Sequence, residues 1–536
     1  MGGGLFRCAL YWVAVLDTTS YSCIGTTGVP RVQRRCRSVG RNGECSRHPY
    51  AWLERRKWLV AIDRLRDAAK AWRNYEGLQQ QSWLQWCDRL TTAFQPLSQG
   101  SAALTADSSC PAGARGQAHH TDVAPQLSTP CLFSVLRPWS NGVLRVSEDC
   151  LYLNVWTTVA RWEHEMAPVL VWIHGGGFTS GSASYDNYSA AVLAAKTGCV
   201  VASINYRLGI LGFLNADTPD APGNVGLMDQ RVALLWLRQN ARVFGGDPAA
   251  ITVFGHSAGG MSIHSHMLSP FGGNLFHRAV MMSGNMAARD FFESVEESAA
   301  KADAVAALVG CAQATLSRGP REVLACLRTK PSGDLVRAAA RAVAPKVFPF
   351  LPTYHTDYLP RVPVAATAKG FVANVDLLLG VTENEGSTPF VLRMKAHMQS
   401  ERLTDVAESA LRASLHDVVR AWTKGEQLEM LDLYVRQAKD KESLRKQYVA
   451  YVSDRLFVCP AHFLGEHHSA SNGTVYFYVF AYPPPKGTPS WIGVGHSMEL
   501  PYFFGHPVIN RVGFSQQDEQ YSEEVMKMLS TFAHTG

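Results

Sequence analysis

One stretch of ten residues, 251–260, constrains the fold of this chain more than any other. It reads Ile-Thr-Val-Phe-Gly-His-Ser-Ala-Gly-Gly, so a β-strand pattern runs directly into a Gly-x-Ser-x-Gly motif and a helical pattern follows. Side chains at positions 255 and 259 would collide with neighbouring backbone in so tight a turn. The pattern therefore predicts a strained Ser257 at the tip of the turn, facing free N–H groups of the helix N-terminus. A serine that simply starts a helix in a glycine-rich turn is the alternative, and the preceding strand argues against it.

Short apolar runs separated by helical patterns predict the fold class. In the stretch 226–244, for example, Met228, Val232 and Leu235 fall on one helical face. Near-continuous apolar runs of this length are typical of parallel strands covered on both faces. We therefore predict an α/β fold with a mostly parallel central sheet and helices on both faces. The runs lie at 168–173, 199–204, 251–254, 375–379 and 475–480.

The net charge of +6 is concentrated at the start of the 536-residue chain. Residues 1–100 contain 15 Lys and Arg against 7 Asp and Glu, whereas the other 436 residues contain 36 against 38. The remainder thus offers no basic groove that would indicate nucleic-acid binding. We expect residues 1–120 to be a basic N-terminal segment that is non-native or poorly ordered, and residues 121–536 to form the folded domain.

Several weaker patterns concern localisation and metals. Arg7 followed by the apolar stretch 8–16 has the pattern of a short signal peptide, with a non-native N-terminus as an equal alternative. Sequons at Asn187 and Asn472 are typical of a secreted glycoprotein. No run of about 18 apolar residues predicts a membrane span. The 12 cysteines include no Cys-x-x-Cys pair, so we predict no metal and no cofactor.

A second glycine-rich motif lies upstream of Ser257. Residues 171–178 read Val-Trp-Ile-His-Gly-Gly-Gly-Phe and follow an apolar run. This is the type of loop whose backbone N–H groups bind a tetrahedral oxyanion, and glycine lets that backbone approach a substrate closely. We predict Gly176, Gly177 and Ala258 as the oxyanion donors.

A serine nucleophile needs a histidine base, and the base needs a carboxylate that orients it. After the run 375–379, Glu383 and Glu385 are both candidates, and spacing alone leaves the choice between them open. After the run 475–480, His496 lies in the glycine-rich stretch Gly-Val-Gly-His. His467 and His506 are its competitors.

These motifs and several others resemble the carboxylesterase/cholinesterase family of type-B carboxylesterases. The resemblance extends from about residue 130 to residue 536. The further matching stretches are Ser-Glu-Asp-Cys-Leu-Tyr-Leu-Asn at 147–154, Gly-Asn-Val-Gly-Leu-Met-Asp-Gln at 223–230 and Phe-Gly-Gly-Asp-Pro at 244–248.

The resemblance implies an α/β-hydrolase fold with a catalytic triad of Ser257, Glu385 and His496. It therefore favours Glu385 over Glu383. The family's opening strands and its C-terminal tail have no match here, so we expect a domain that is truncated at both ends. The family partner of Cys459 falls in that tail, and we expect Cys459 to be unpaired.

The resemblance also implies disulfide bonds. Cys311 and Cys326 match the family's small-loop pair. Cys150 matches the end of an earlier loop, with Cys131 as its expected partner and Cys110 as the alternative.

The implied activity is hydrolysis of carboxylic esters, and the substrate a small-molecule ester. Choline esters need an aromatic cage; Trp139 is a candidate for it, although its spacing differs from the cholinesterase pattern by one residue. Thr388 and Pro389 stand where cholinesterases offer aromatic residues. Phe348 is expected to line the acyl pocket, with a core phenylalanine as the equal alternative. His256 replaces the family's usual Glu before the nucleophile, so we expect an altered pH profile. We predict a general carboxylesterase, with an acetylcholinesterase-like enzyme or an inactive binding and adhesion domain as alternatives.

Overall fold

The computed structural model describes most of the chain beyond residue 144. Segment 1–120, Cys131 and Trp139 lie outside the described residues, as do the predictions made for them. The described ranges are 122–123, 145–158, 166–312, 319–342, 348–388, 434, 440–484, 488–510 and 513–536.

The described strands, β1 to β11 in chain order, are Asp122–Val123, Arg145–Val146, Leu153–Trp156, Ala167–Ile173, Val200–Ile204, Asn215–Thr218, Ala221–Pro222, Gly246–His256, Arg278–Met282, Asp376–Thr382 and Val475–Phe480. Seven of them form one sheet in the order β11-β10-β9-β8-β4-β5-β3. Neighbours in this sheet are parallel, except that β3 runs antiparallel to β5. The predicted, mostly parallel sheet is confirmed, and the five apolar runs correspond to β4, β5, β8, β10 and β11.

The described α-helices, α1 to α13 in chain order, are Ala191–Thr197, Gly209–Phe213, Val225–Asn240, Ala258–Leu268, Val295–Leu308, Pro320–Arg328, Ser332–Ala342, Pro363–Ala368, Lys441–Ser453, Cys459–Ala470, Leu500–Phe503, His506–Ile509 and Gln516–Thr535. Short 3₁₀ turns lie at Asp186–Tyr188, Ala241–Phe244, Arg289–Phe291 and Glu385–Ser387, and a π-helical turn, Asp454–Val458, joins α9 to α10. None of the described helices combines the length and apolarity needed to cross a membrane.

Helices cover both faces of the sheet, as predicted. Alternate side chains of β4 point to opposite faces: Val171 belongs to one buried apolar cluster, together with residues of α3, α4 and α10. Trp172 belongs to a second cluster, together with residues of α1, α11 and α13. Both side chains are completely buried. A strand buried on both faces must be apolar throughout, which explains the continuous apolar pattern of the sequence.

The parallel strands bring several loops to one edge of the sheet. Parallel neighbours end at the same edge, so the segments that follow β4, β8, β10 and β11 emerge there together. The register confirms this: Ile173 at the end of β4 pairs with Gly255, and Thr382 at the end of β10 pairs with Phe480 at the end of β11.

The cysteines agree with the sequence-based expectations only in part. Cys311 and Cys326 form the predicted disulfide, which links the segment just after α5 to α6. Cys459 was expected to be unpaired, and this is wrong: it is disulfide-bonded, and none of the other described cysteines is its partner. Cys150 is a buried free thiol in the structure. Because a free thiol forms no disulfide, the structure contradicts the predicted Cys131–Cys150 bond.

Candidate active site

Ser257 occupies the turn between β8 and α4. Its backbone has φ 55° and ψ −120°, a conformation that non-glycine residues adopt only under strain, at a cost of about 1–3 kcal/mol. Its N–H group donates to the carbonyl oxygen of Met282 at 2.8 Å, which ties the turn to the neighbouring strand β9. The residue is 6% exposed. The surrounding sheet thus holds the serine in the strained turn that the motif predicts.

Glycines allow this turn to pack against the rest of the sheet. A Cβ atom at Gly255 would lie 2.7 Å from the carbonyl carbon of Gly259, and one at Gly259 would lie 2.0 Å from the carbonyl oxygen of Ile173. Gly284 is a third such position, since its Cβ would lie 2.1 Å from the carbonyl oxygen of Ser257. Gly284 was not predicted from the sequence, although its place just after an apolar strand could have indicated it.

The glycine loop after β4 packs directly against the serine turn. A Cβ atom at Gly175 would lie 2.6 Å from the carbonyl oxygen of His256 and 3.1 Å from the Cβ of Ser257. No residue larger than glycine fits here without moving one of the two segments. The two glycine-rich motifs of the sequence are therefore neighbours in space.

The backbone of this loop is oriented by its own hydrogen bonds. The carbonyl oxygen of Gly176 accepts the N–H groups of Thr179 and Ser180 at 3.1 and 3.0 Å. In a trans peptide the carbonyl and the next N–H point in opposite directions, so the Gly177 N–H points away from that turn. The Ala258 N–H belongs to the first turn of α4, where N–H groups lack intrahelical acceptors. These N–H groups are available as oxyanion donors.

Aromatic side chains enclose the glycine loop. Phe348 lies so close that a Cβ atom at Gly177 would be 1.9 Å from its ring, and the ring of Phe291 is 5.9 Å from that of Phe348. On the other side, the His174 imidazole stacks on Tyr206 at 4.4 Å. Burial lowers the pKa of His174 to about 4, so its ring stays neutral at pH 7. Phe348 was predicted from the sequence, whereas Tyr206, the ring that stacks on His174, was not.

The predicted acid and base form a buried hydrogen-bonded pair. Glu385 Oε2 and His496 Nδ1 are 2.6 Å apart, and Glu385 is completely buried. Its other oxygen, Oε1, accepts the Thr382 N–H at 2.8 Å. Glu383 is exposed. The choice that spacing alone left open is thus resolved in space, since Glu385 is the carboxylate in contact with His496.

The acid loop and the histidine loop are joined by Asn384. Its backbone N–H donates to the Val494 carbonyl, and its side-chain Oδ1 accepts the Val494 N–H, both at 2.9 Å. A Cβ atom at Gly493 would lie 2.1 Å from Asn384 Oδ1, and Gly493 has φ +59°. Gly493 thus permits close contact between the acid loop and the histidine loop. The sequence showed only that His496 lies in a glycine-rich stretch and did not predict this contact.

The rival histidines and the sequons lie elsewhere. His467 Nδ1 pairs with the carbonyl oxygen of Phe463 on its own helix. His506 Nε2 pairs with the carbonyl oxygen of Asn187, which lies in the 3₁₀ turn Asp186–Tyr188. Asn472 lies in an exposed turn after α10. Glycosylation of Asn187 and Asn472 stays a prediction.

The imidazole of His496 lies beside the serine turn. Its ring centroid is 4.4 Å from that of His256, the residue before Ser257, and 4.7 Å from that of Phe457. The ring therefore lies between β8 and the π-helical turn and is tilted relative to both neighbouring rings. The structure thus places the Glu385–His496 pair beside the turn that carries Ser257.

Comparison with known proteins agrees with this architecture. Residues 95–536 match the model of the carboxylesterase family. The chain belongs to this family. The match begins at residue 95, whereas the start of the domain was predicted near residue 121. Residues 95–121 lie outside the described part of the chain.

Similar proteins include cholinesterases of animals. The family member described here is 34% identical over 399 residues to the acetylcholinesterase of Bungarus fasciatus, covering 73% of this chain and 64% of that protein. It is 33% identical over 420 residues to the acetylcholinesterase of Leptinotarsa decemlineata, with 74% and 66% covered. It is also 33% identical over 404 residues to the cholinesterase of Mus musculus, again with 74% and 66% covered. The aligned part thus spans slightly less than two thirds of each relative.

This carboxylesterase-family chain has a second buried acid beside the first. Glu499 Oε1 lies 3.7 Å from His256 Nε2 and accepts the Ser283 hydroxyl at 3.2 Å. Burial, followed by the charge of Glu385, raises the pKa of Glu499 to about 8. Burial and the neighbouring His496 hold the pKa of His256 well below its usual value. His256 was predicted from the sequence as a site residue, whereas Glu499 was not.

No group of three or more potential metal ligands occurs within the part of the chain that the structure describes. The acid–base pair, the strained serine and the oriented N–H groups are the chemical components present. Together they are suited to covalent catalysis by a serine.

Proposed function

We propose that this chain is a serine hydrolase that cleaves carboxylic esters through an acyl-enzyme, and that it acts as a general carboxylesterase. The observation that carries the proposal is the buried 2.6 Å contact of Glu385 with His496 at the edge of the sheet where Ser257 is held under strain. Family membership is consistent with this activity.

In the proposed mechanism, His496 Nε2 takes the hydroxyl proton of Ser257 while Oγ attacks the ester carbonyl carbon. The Gly176, Gly177 and Ala258 N–H groups bind the resulting oxyanion. Glu385 fixes the tautomer of His496 and offsets the positive charge of the imidazolium. When the tetrahedral intermediate collapses, the carbon–oxygen bond of the leaving group breaks and His496 protonates the alcohol. Water then repeats the attack on the acyl-enzyme and releases the acid.

Two features favour uncharged esters. Thr388 is buried directly after the 3₁₀ turn that carries Glu385. A quaternary ammonium is bound by aromatic faces, and a threonine at this position offers none. Phe348 lies against Gly177, a position where it would contact the acyl group bound below the oxyanion donors. We therefore propose Phe348 as a wall of the acyl pocket.

Cleavage of choline esters is the second candidate, since the similar proteins are named acetylcholinesterase and cholinesterase. The discriminating measurement compares kcat/KM for acetylthiocholine with that for an uncharged thioester of similar size. Equal values support the general carboxylesterase. A preference of more than about tenfold for the cation would instead indicate a cation–π site.

The nucleophile is tested by Ser257→Ala. We expect hydrolysis of p-nitrophenyl acetate to fall by at least about 10⁴-fold, because the acyl-enzyme cannot form. Ser471→Ala, which changes an exposed serine, is the matched control and should keep the wild-type rate. Retention of wild-type turnover by Ser257→Ala would show that another group is the nucleophile.

An inactive binding domain is the remaining alternative. A fluorophosphonate probe should label the folded wild-type chain but not Ser257→Ala. If a folded wild-type protein resisted the probe, the proposed esterase activity would be wrong.

We further propose that the protein is secreted and glycosylated at Asn187 and Asn472. The Cys311–Cys326 disulfide supports this proposal, because such bonds persist mainly in oxidising compartments. Treatment of the secreted protein with an N-glycosidase should lower its mass, and each Asn→Gln substitution should remove one glycan.

A further inference from the structure

A second acid–imidazole pair lies beside Glu385 and His496. His256 Nε2 is 3.7 Å from Glu499 Oε1, and the two residues are 3% and 1% exposed. The His256 ring in turn contacts that of His496 at a centroid distance of 4.4 Å. Two imidazoles thus lie against each other, and each has its own buried carboxyl group.

Each residue of this second pair has one buried polar atom without a hydrogen-bond partner among the described residues. His256 Nε2 and Glu499 Oε2 are fully buried and form no hydrogen bond with the described residues. A buried charge without strong hydrogen bonds is costly, and an ion pair at 3.7 Å recovers only part of that cost. A neutral imidazole beside a protonated carboxyl group is the less costly state of such a pair.

We propose that Glu499 and His256 are positioning residues that act together on His496: they hold one proton on Glu499 at neutral pH, and its loss places a negative charge beside the catalytic base. This inference rests on the proposed esterase function. It assigns a role to two residues that the triad mechanism does not use.

The surroundings of Glu499 support this assignment. Its carboxyl group interacts electrostatically with Glu385, Tyr188 and Tyr478, and it accepts the Ser283 hydroxyl. No lysine or arginine is among these neighbours. Burial and the negative charge of Glu385 therefore raise the pKa of Glu499 to about 8.

The expected consequence is an increase in activity at alkaline pH. Below about pH 8 Glu499 is neutral and contributes no charge. Above that pH its carboxylate stabilises the imidazolium that His496 becomes in the transition state. One buried charge acting over this range should raise kcat by about three- to tenfold.

The experiment measures kcat and KM of the full-length chain for p-nitrophenyl acetate from pH 5 to 10, after subtraction of the uncatalysed rate. Wild type should show the alkaline increase, and Glu499→Gln should lose it while keeping the acid limb of the profile. Ser283→Ala keeps the carboxyl group but removes a donor to its anion, so the increase should shift to higher pH. Glu383→Gln, which changes an exposed acid of a neighbouring loop, is the control and should keep the wild-type profile.

A thermal measurement tests the titration without using activity. A carboxyl group with a raised folded-state pKa contributes stability that is complete below its unfolded value and is lost as the pH rises through about 8. The Tm of Glu499→Gln should therefore increase relative to wild type between pH 5 and 8.5.

The outcomes separate the two proposals. An alkaline increase that persists in Glu499→Gln, or a Tm difference that does not change with pH, would overturn the role of the pair. If Glu499→Gln does not fold, the shift in Ser283→Ala decides instead. A folded wild type without ester turnover would contradict the proposed function, and the thermal comparison alone would then determine whether Glu499 retains its proton.

Discussion

Glu385 and Glu383 stand two residues apart in one loop, yet their environments are opposite. Glu385 is completely buried against His496, whereas Glu383 is exposed to solvent. An amide at position 385 can still accept the Thr382 N–H, but it cannot offset the charge of an imidazolium. We expect Glu385→Gln to lower kcat by about 10³–10⁴-fold with little change in KM, as measured with p-nitrophenyl acetate.

Glu383→Gln is the matched control for this prediction, because it makes the same chemical change in the same loop. It should keep kcat within about twofold of wild type, since an exposed carboxylate is screened by solvent. Equal losses in the two variants would mean that the loop as a whole, rather than the buried carboxylate, supports catalysis.

At the scale of elements, the Cys311–Cys326 disulfide joins the segment just after α5 to α6 across a sequence separation of 15 residues. Closing a loop of that length restricts the unfolded chain and stabilises the fold by about 3 kcal/mol in the chain-entropy model. The double variant Cys311→Ser/Cys326→Ser should therefore have a Tm lower by several degrees, measured by differential scanning calorimetry. Its kcat should stay near that of wild type, because neither cysteine contacts the triad. An unchanged Tm would contradict the stabilising role of this bond.

The elements of the site that depend on local sequence could be predicted, whereas those that depend on distant segments could not. The serine turn and the glycine loop were predictable because tight turns and close backbone contacts require particular residues in a short stretch, as Gly255 and Gly259 demonstrate. Local spacing could not decide between Glu383 and Glu385, because burial depends on segments far away in the chain. Glu499 was missed for a similar reason: its partner His256 lies 243 positions earlier, and only the sheet brings the two together.

Over the whole molecule, burial keeps several of the described histidines neutral, and His174, His264 and His266 illustrate this in addition to His256. Burial lowers the pKa of His174 to about 4, and that of His264 and His266 to about 3. The neutral ring of His266 is fully hydrogen-bonded, between the Tyr358 hydroxyl at 2.7 Å and Gln230 Oε1 at 2.9 Å. A second proton on Nδ1 would displace the hydrogen that the Tyr358 hydroxyl donates and would add a charge in a fully buried site, which is costly.

These histidines should make the fold sensitive to mild acid. Their stabilising effect is complete above the unfolded pKa of about 6.5 and is lost as the pH falls, because the unfolded chain then binds protons that the folded chain excludes. At pH 5.5 each of these three histidines should lower the free energy of unfolding by about 1.4 kcal/mol relative to neutral pH, and the three together by about 4 kcal/mol. We expect Tm to fall steeply between pH 7 and 5, and His266→Gln to reduce that slope by about a quarter, because the buried His256 contributes in the same way. His534→Gln, which changes an exposed histidine of α13, should keep the wild-type slope. If His266→Gln and His534→Gln gave the same slope as wild type, the buried rings could not be the groups that link acid to unfolding.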